Sequence, residues 1–161
     1  MSADIPNALI QTKIPDIEDV EECVIRKITV VIVDLLVEMA PEVYGPHVVF
    51  ENGRNLLYVQ VLIASYKILI AAPLWYKQFK LDIEKQVFKF NPYDACVTNK
   101  CFNKKQHTVQ FYVDDLMSIH VDSKEDRKFL IWLNKMYGTH GEVKSTRGTV
   151  HDYLGMAFDF S

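Results

Sequence analysis

The sequence predicts an α+β fold assembled around β-hairpins. Three observations carry this. Short segments alternate apolar and polar residues on either side of turn residues. Two longer segments carry apolar stripes at helical spacing. The two kinds of segment follow one another irregularly, not as regular strand–helix repeats.

The opening segment, "MSADIPNALIQT", places Pro6 two residues after Asp4, and the three residues before that aspartate are too few to predict a strand. "VVIVDLLVEMAP" (Val30 to Pro41) reads as a short helix stopped by its proline. "HVVF" and "LLYVQVL" flank Asn52-Gly53, a pair suited to the positive φ angles of a tight hairpin turn. A helix is expected from about 65 to 86, with Trp75, Phe79 and Ile83 on one stripe. Pro73 falls inside it, so a kink or a delayed start is expected there. "DACVTNK" (94 to 100) is a candidate strand. In "SKEDRKFLIWLNKMYG", Ser123 and Asp126 suggest a capping box. Phe129, Leu130, Leu133 and Met136 form an apolar stripe, and Gly138 is a stop. "GTVHDYLGMAFDF" closes the chain as extended structure.

The chain has 161 residues, enough for one domain, residues 1–161, with a real core. Its net charge is −3. Five carboxylates without a Lys or Arg crowd residues 16–22, an expected solvated loop; the remainder is only weakly basic and does not favour tight phosphate-driven binding. An odd count of three cysteines suggests reduced thiols in a cytosolic or nuclear setting, intracellular and cytoplasmic if the chain is expressed. Cys96, Cys101 and His107 match no common zinc spacing. Leu56 to Tyr76 is long and apolar, but Gln60, Ser65, Lys67 and Pro73 interrupt it. A strand followed by a buried helix is the better account, and no membrane span is expected.

The segment "HTVQFYVDDLMSIHVD" (His107 to Asp122) reads as a hairpin with two aspartates at its tip. A three-residue loop, Val113-Asp114-Asp115, sets Tyr112 opposite Leu116 and Phe111 opposite Met117. Val109, Phe111, Met117, Ile119 and Val121 then share a buried face. Thr108, Gln110, Tyr112, Leu116, Ser118 and His120 share a wet one. The pair alone fits an ordinary Asx turn. It also fits a divalent-metal site, because Mg²⁺ takes carboxylate oxygens together with substrate phosphates.

Here the residues carry a family likeness. Tyr112-Val113-Asp114-Asp115-Leu116 resembles the Y-x-D-D box of reverse transcriptases. "DIPNALIQT", from Asp4, resembles the first catalytic motif of copia-type retrotransposon polymerases. "YKILIAAPLWYKQF", "FNPYDACV" and "HDYLGMAFDF" resemble their later segments, in the same order. The resemblance implies a polymerase palm, an antiparallel sheet with helices packed on one face. It implies RNA-directed DNA polymerase chemistry with two Mg²⁺ ions (or Mn²⁺) held by Asp4, Asp114 and Asp115, the last in an assisting role. Leu9 stands where the family usually has an aromatic that excludes a ribose 2′-hydroxyl, and Tyr112 would adjoin the nucleotide. The implied partners are a template-primer of RNA or DNA and dNTPs.

The pattern is also broken. Lys67 replaces the usual glycine, Leu69-Ile70-Ala71-Ala72 replaces Lys-Gln-Ala-Pro, and Pro73 comes one residue late; Tyr66, Ala71, Trp75 and Tyr76 still fit. Only three residues precede Asp4, where the family carries its fingers. The expectation is therefore an N-terminally truncated fragment of a transposable-element polyprotein, inactive without its fingers, thumb and ribonuclease H regions. A non-catalytic domesticated or decaying relic, at most a weak interaction or nucleic-acid-binding module, is the alternative. A different metal-dependent nucleotide enzyme, such as a cyclase, is a third reading, which the motif order disfavours.

Overall fold

The computed structural model describes residues 1–14, 24–64 and 68–161. The acidic segment 16–22, Cys23, Tyr66 and Lys67 lie outside the described residues, as does Ser65, where the long helix was expected to begin. The protein is α+β. Within the span 1–161, taken from the sequence as one domain, the described residues form two compact units: Met1–Thr12 with Ala64–Ser161, and Lys13–Ile63.

The larger unit is built on a six-stranded sheet in which every neighbouring pair is antiparallel. Its strands are β1 (Ser2–Asp4), β5 (Lys89–Phe90), β6 (Val97–Phe102), β7 (Lys105–Tyr112), β8 (Asp115–Ile119) and β9 (Lys144–Thr146), in the spatial order β5-β6-β7-β8-β1-β9. Helices α3 (Ala71–Glu84) and α4 (Ser123–Tyr137) cover one face. Trp75, Phe79 and Ile83 form the expected stripe of α3 and are all buried. The Phe79 ring sits 4.8 Å from Phe111 of β7, and Phe129 of α4 lies 5.7 Å from His107 on the same strand. The helix starts late, with Pro73 in its first turn, where the ring costs no intrahelical hydrogen bond. The C-terminal hairpin, β10 (Val150–Tyr153) and β11 (Met156–Asp159), touches β1 and β8. It lies on the other face, where Ser2 Oγ is 3.4 Å from His151 Nδ1.

The central hairpin differs from the sequence-based register. Tyr112 pairs with Asp115, Phe111 with Leu116 and Val109 with Ser118, so the loop has two residues, Val113 and Asp114. Val109 and Phe111 are buried as expected. Leu116, expected on the wet side, is buried beside them, whereas Ile119 and Val121 are exposed (51% and 74%). Met117 is buried on the opposite face. The expectation assumed one dry face. Here the helices dry one face and the C-terminal hairpin dries part of the other, so simple alternation no longer marks the core.

Helix α4 is also capped differently. Asp122 is the N-cap, its side chain accepting from the Lys124 N–H at 2.9 Å. Asp126 turns inward and is buried with Phe129, Leu133 and Tyr137, while Met136 is exposed. Gly138 follows the last helical residue with φ −77°, so the stop does not use a left-handed glycine.

The smaller unit holds β2 (Ile25–Thr29), α1 (Val31–Met39), a single helical turn α2 (Pro41–Tyr44), β3 (Val49–Glu51) and β4 (Arg54–Gln60). The sheet order is β2-β4-β3, and α1 packs on β2 and β4. Asn52 and Gly53 make the β3–β4 turn with φ 51° and 75°, as their identity predicts. Among the described residues no helix is long and apolar enough to cross a membrane.

Candidate active site

Asp4 does lie on a strand, contrary to expectation. Three residues suffice because β1 enters between two existing strands and pairs on both sides, opposite β8 and β9. Asp4 stands directly opposite Asp115 on one side and Lys144 on the other. Cross-strand partners share a sheet face, so the three side chains lie on one face, together with Tyr112. The chain after Asp4 is anchored: Ile5 and Ala8 are fully buried, and Gln11 Nε2 donates to the carbonyls of Pro6 and Tyr137, each at 2.9 Å.

Asp114 occupies the second position of the two-residue turn. The first position, Val113, has φ 54°. A β-branched residue in this region is a genuine outlier and costs of order 1–3 kcal/mol. Two donors hold the turn. The Trp75 indole Nε1–H donates to the Val113 carbonyl at 2.8 Å, and the Ile5 N–H donates to the Asp114 carbonyl at 3.0 Å.

A cleft of about 210 Å³ opens beside this turn, lined by Ser2, Ala3, Asp4, Asp115, Lys144, Thr146 and Asp152. Lys144 and Asp152 were not singled out in the sequence. For Asp152 the sequence signal is the "HDYLG" segment that contains it; Lys144 lies outside every quoted motif. Tyr112 is exposed near the turn. Leu9 is buried in a 3₁₀ turn and does not line the cleft. Ile70 precedes α3 and is exposed.

The carboxylates crowd one another, and Lys144 is the cation that lines the cleft with them. Partial burial, followed by the charges of Asp114 and Asp4, pushes Asp115 above the usual carboxylate range. Among the described residues no salt bridge involves Asp4, Asp114 or Asp115. Such a group of hard oxygen donors suits Mg²⁺ or Mn²⁺ rather than zinc. Among the described residues, however, no three His, Cys, Asp or Glu side chains are placed to enclose one ion. The arrangement therefore fits an open site in which Asp4 and Asp115 supply two carboxylates, Asp114 lies adjacent, and substrate phosphates and water supply the rest. It does not fit a closed three-carboxylate cage.

A second polar cluster lies on the helix-covered face. Ser118 Oγ donates to Asp126 Oδ1 at 2.6 Å, and His107 Nε2 is 2.8 Å from Ser118 Oγ. These are the residue types of a nucleophilic triad in the wrong order. The serine proton is committed to the aspartate, so His107 cannot accept it, and Ser118 is fully buried. Burial, followed by the charge of Lys100, lowers His107 to about 4. This cluster is structural. It explains why a serine and a histidine face the core.

Comparison with protein-family models, with curated proteins and with solved structures finds no match to this chain.

Proposed function

We propose that the chain is the palm region of a copia-type reverse transcriptase. In this reading Asp4 and Asp115, with Asp114 beside them, hold divalent cations for nucleotidyl transfer. The observation that carries the proposal is the cross-strand pairing of Asp4 with Asp115. These carboxylates are far apart in sequence, and they lie side by side at the wall of an open cleft, which supports the reading; the resemblance gives Asp114 the larger role, whereas the register sets Asp115 opposite Asp4. Bound there, Mg²⁺ or Mn²⁺ would supply charge neutralisation and activation of a primer hydroxyl. The chain's own residues would bind and orient. The two carboxylates face the cleft on adjacent strands, Lys144 brings a cation to the rim for phosphate oxygens, and Tyr112 offers an exposed ring beside the turn.

The 161 residues by themselves are expected to give no primer extension on an RNA template with dNTPs. In-line positioning is worth about 7–11 kcal/mol, and two carboxylates with their cations do not hold template and base. The buried Leu9 and the exposed Ile70 favour a second reading, a relic that keeps the fold without the activity. Mn²⁺ binding tests the first reading, measured by electron paramagnetic resonance of the full chain. Binding is expected to be lost in Asp4→Asn and Asp115→Asn. Binding that persists in both variants removes the site. Extension that vanishes in Asp114→Asn, Asp115→Asn would show that the chain is catalytic alone.

A further inference from the structure

We propose that Trp75 is a positioning residue for the carboxylate site: its indole N–H holds the strained Val113 turn and thereby selects the strand register that points Asp115 at the cleft. The inference rests on the reading of Asp4 and Asp115 as cation-holding groups.

Hairpin register depends on the turn. The sequence pattern alone favours a three-residue loop, which would take Asp115 out of the ladder and leave it unpaired with Asp4. The observed two-residue loop keeps Asp115 as the first residue of β8, paired with Tyr112 and with Asp4. That loop requires a positive φ at its first position, and the position carries valine, not glycine. Valine by itself opposes the functional register, so something outside the turn must hold it. Val113 O receives the Trp75 indole at 2.8 Å. Asp114 O receives the amide of Ile5, the residue after Asp4, at 3.0 Å. The indole cannot swing away. It is buried, stacked on Phe79 at 5.7 Å and edge-on to Tyr137 at 5.1 Å. Helix α3 thus carries a rigid donor to the carbonyl of the strained residue of this turn.

The test separates the donor from the packing. Replacing Trp75 with its sulphur isostere, 3-benzothienylalanine, deletes the N–H and keeps the ring shape; Trp75→Phe is the genetic version. Both are expected to weaken Mn²⁺ binding about three- to tenfold, the scale of one hydrogen bond. Val113→Gly removes the strain, so added to either replacement it should restore Mn²⁺ affinity to the wild-type value. Phe129→Leu, which disturbs the same helix-covered core at a ring that packs on Phe88 and His107 and not on Trp75, should lower Tm and leave Mn²⁺ affinity unchanged. The isostere serves if Trp75→Phe fails to fold. Wild-type affinity in the isostere overturns the inference, as does failure of Val113→Gly to rescue. Absence of Mn²⁺ binding by the wild-type chain overturns the carboxylate reading and this inference together, whereas wild-type binding with an indifferent isostere overturns this inference alone.

Discussion

Acidification should destabilise this protein through one residue, His107, and the effect can be isolated. The imidazole is 1% exposed, its Nδ1 has no hydrogen-bond partner among the described residues, and its Nε2 is 2.8 Å from the Ser118 hydroxyl. Because Ser118 gives its proton to Asp126, neutral His107 must carry its own proton on Nε2 and donate. Protonation would put a second N–H on Nδ1, where it would be buried and unpaired. The Asp126 carboxylate, 3.5 Å from Nε2, favours the imidazolium, but it is already engaged by Ser118, and burial outweighs it. The histidine therefore titrates near 4 in the folded chain and near 6.5 in the unfolded one. Between those values the unfolded state binds the proton and the folded state does not. Stability is complete above about pH 6.5 and falls as pH drops towards 4, by about 3 kcal/mol in all. Urea denaturation of wild type and His107→Gln at pH 7, 6, 5 and 4 measures this. The glutamine keeps a donor for Ser118 but cannot titrate. The wild-type curve should lose about 3 kcal/mol relative to the variant across this range. Parallel pH profiles, or a His107 titration above 6.5 by NMR, would refute the argument.

Two further outcomes concern the core and the carboxylates. Neutralising Asp115 removes a partly buried charge that Asp114 and Asp4 oppose, so Asp115→Asn should raise the Tm of the metal-free protein at pH 7; calorimetry showing a lower Tm contradicts it. The gain should shrink at acid pH, where the wild-type carboxyl is itself neutral. Phe79→Ala should cost about 3–5 kcal/mol by chemical denaturation, because the ring is buried between Trp75, Tyr137 and Phe111.

Features that depend on near neighbours are legible along the chain. Asn52-Gly53 specified its turn because those residues tolerate positive φ. The spacing of Trp75, Phe79 and Ile83 specified the buried stripe of α3, and Pro73 its late start. The Asp114-Asp115 pair announced a hairpin tip. What remained illegible depended on partners distant along the chain. The segment Ser2–Asp4 carries no strand signal of its own; it forms β1 because β8 and β9 offer backbone partners on both sides. Asp126 read as a capping residue because its sequence position suits one, yet Ser118 across the core draws it inward. Alternation points to the wrong loop length at Val113 because it predicts register only when one sheet face is wet. Here the C-terminal hairpin covers Met117 on one face, helices cover Leu116 on the other, and an indole from α3 holds a valine in a conformation valine disfavours. Local sequence sets which elements form. The register that aligns Asp4 with Asp115 is a choice between nearly equivalent pairings, and tertiary contacts supply the free energy that makes it.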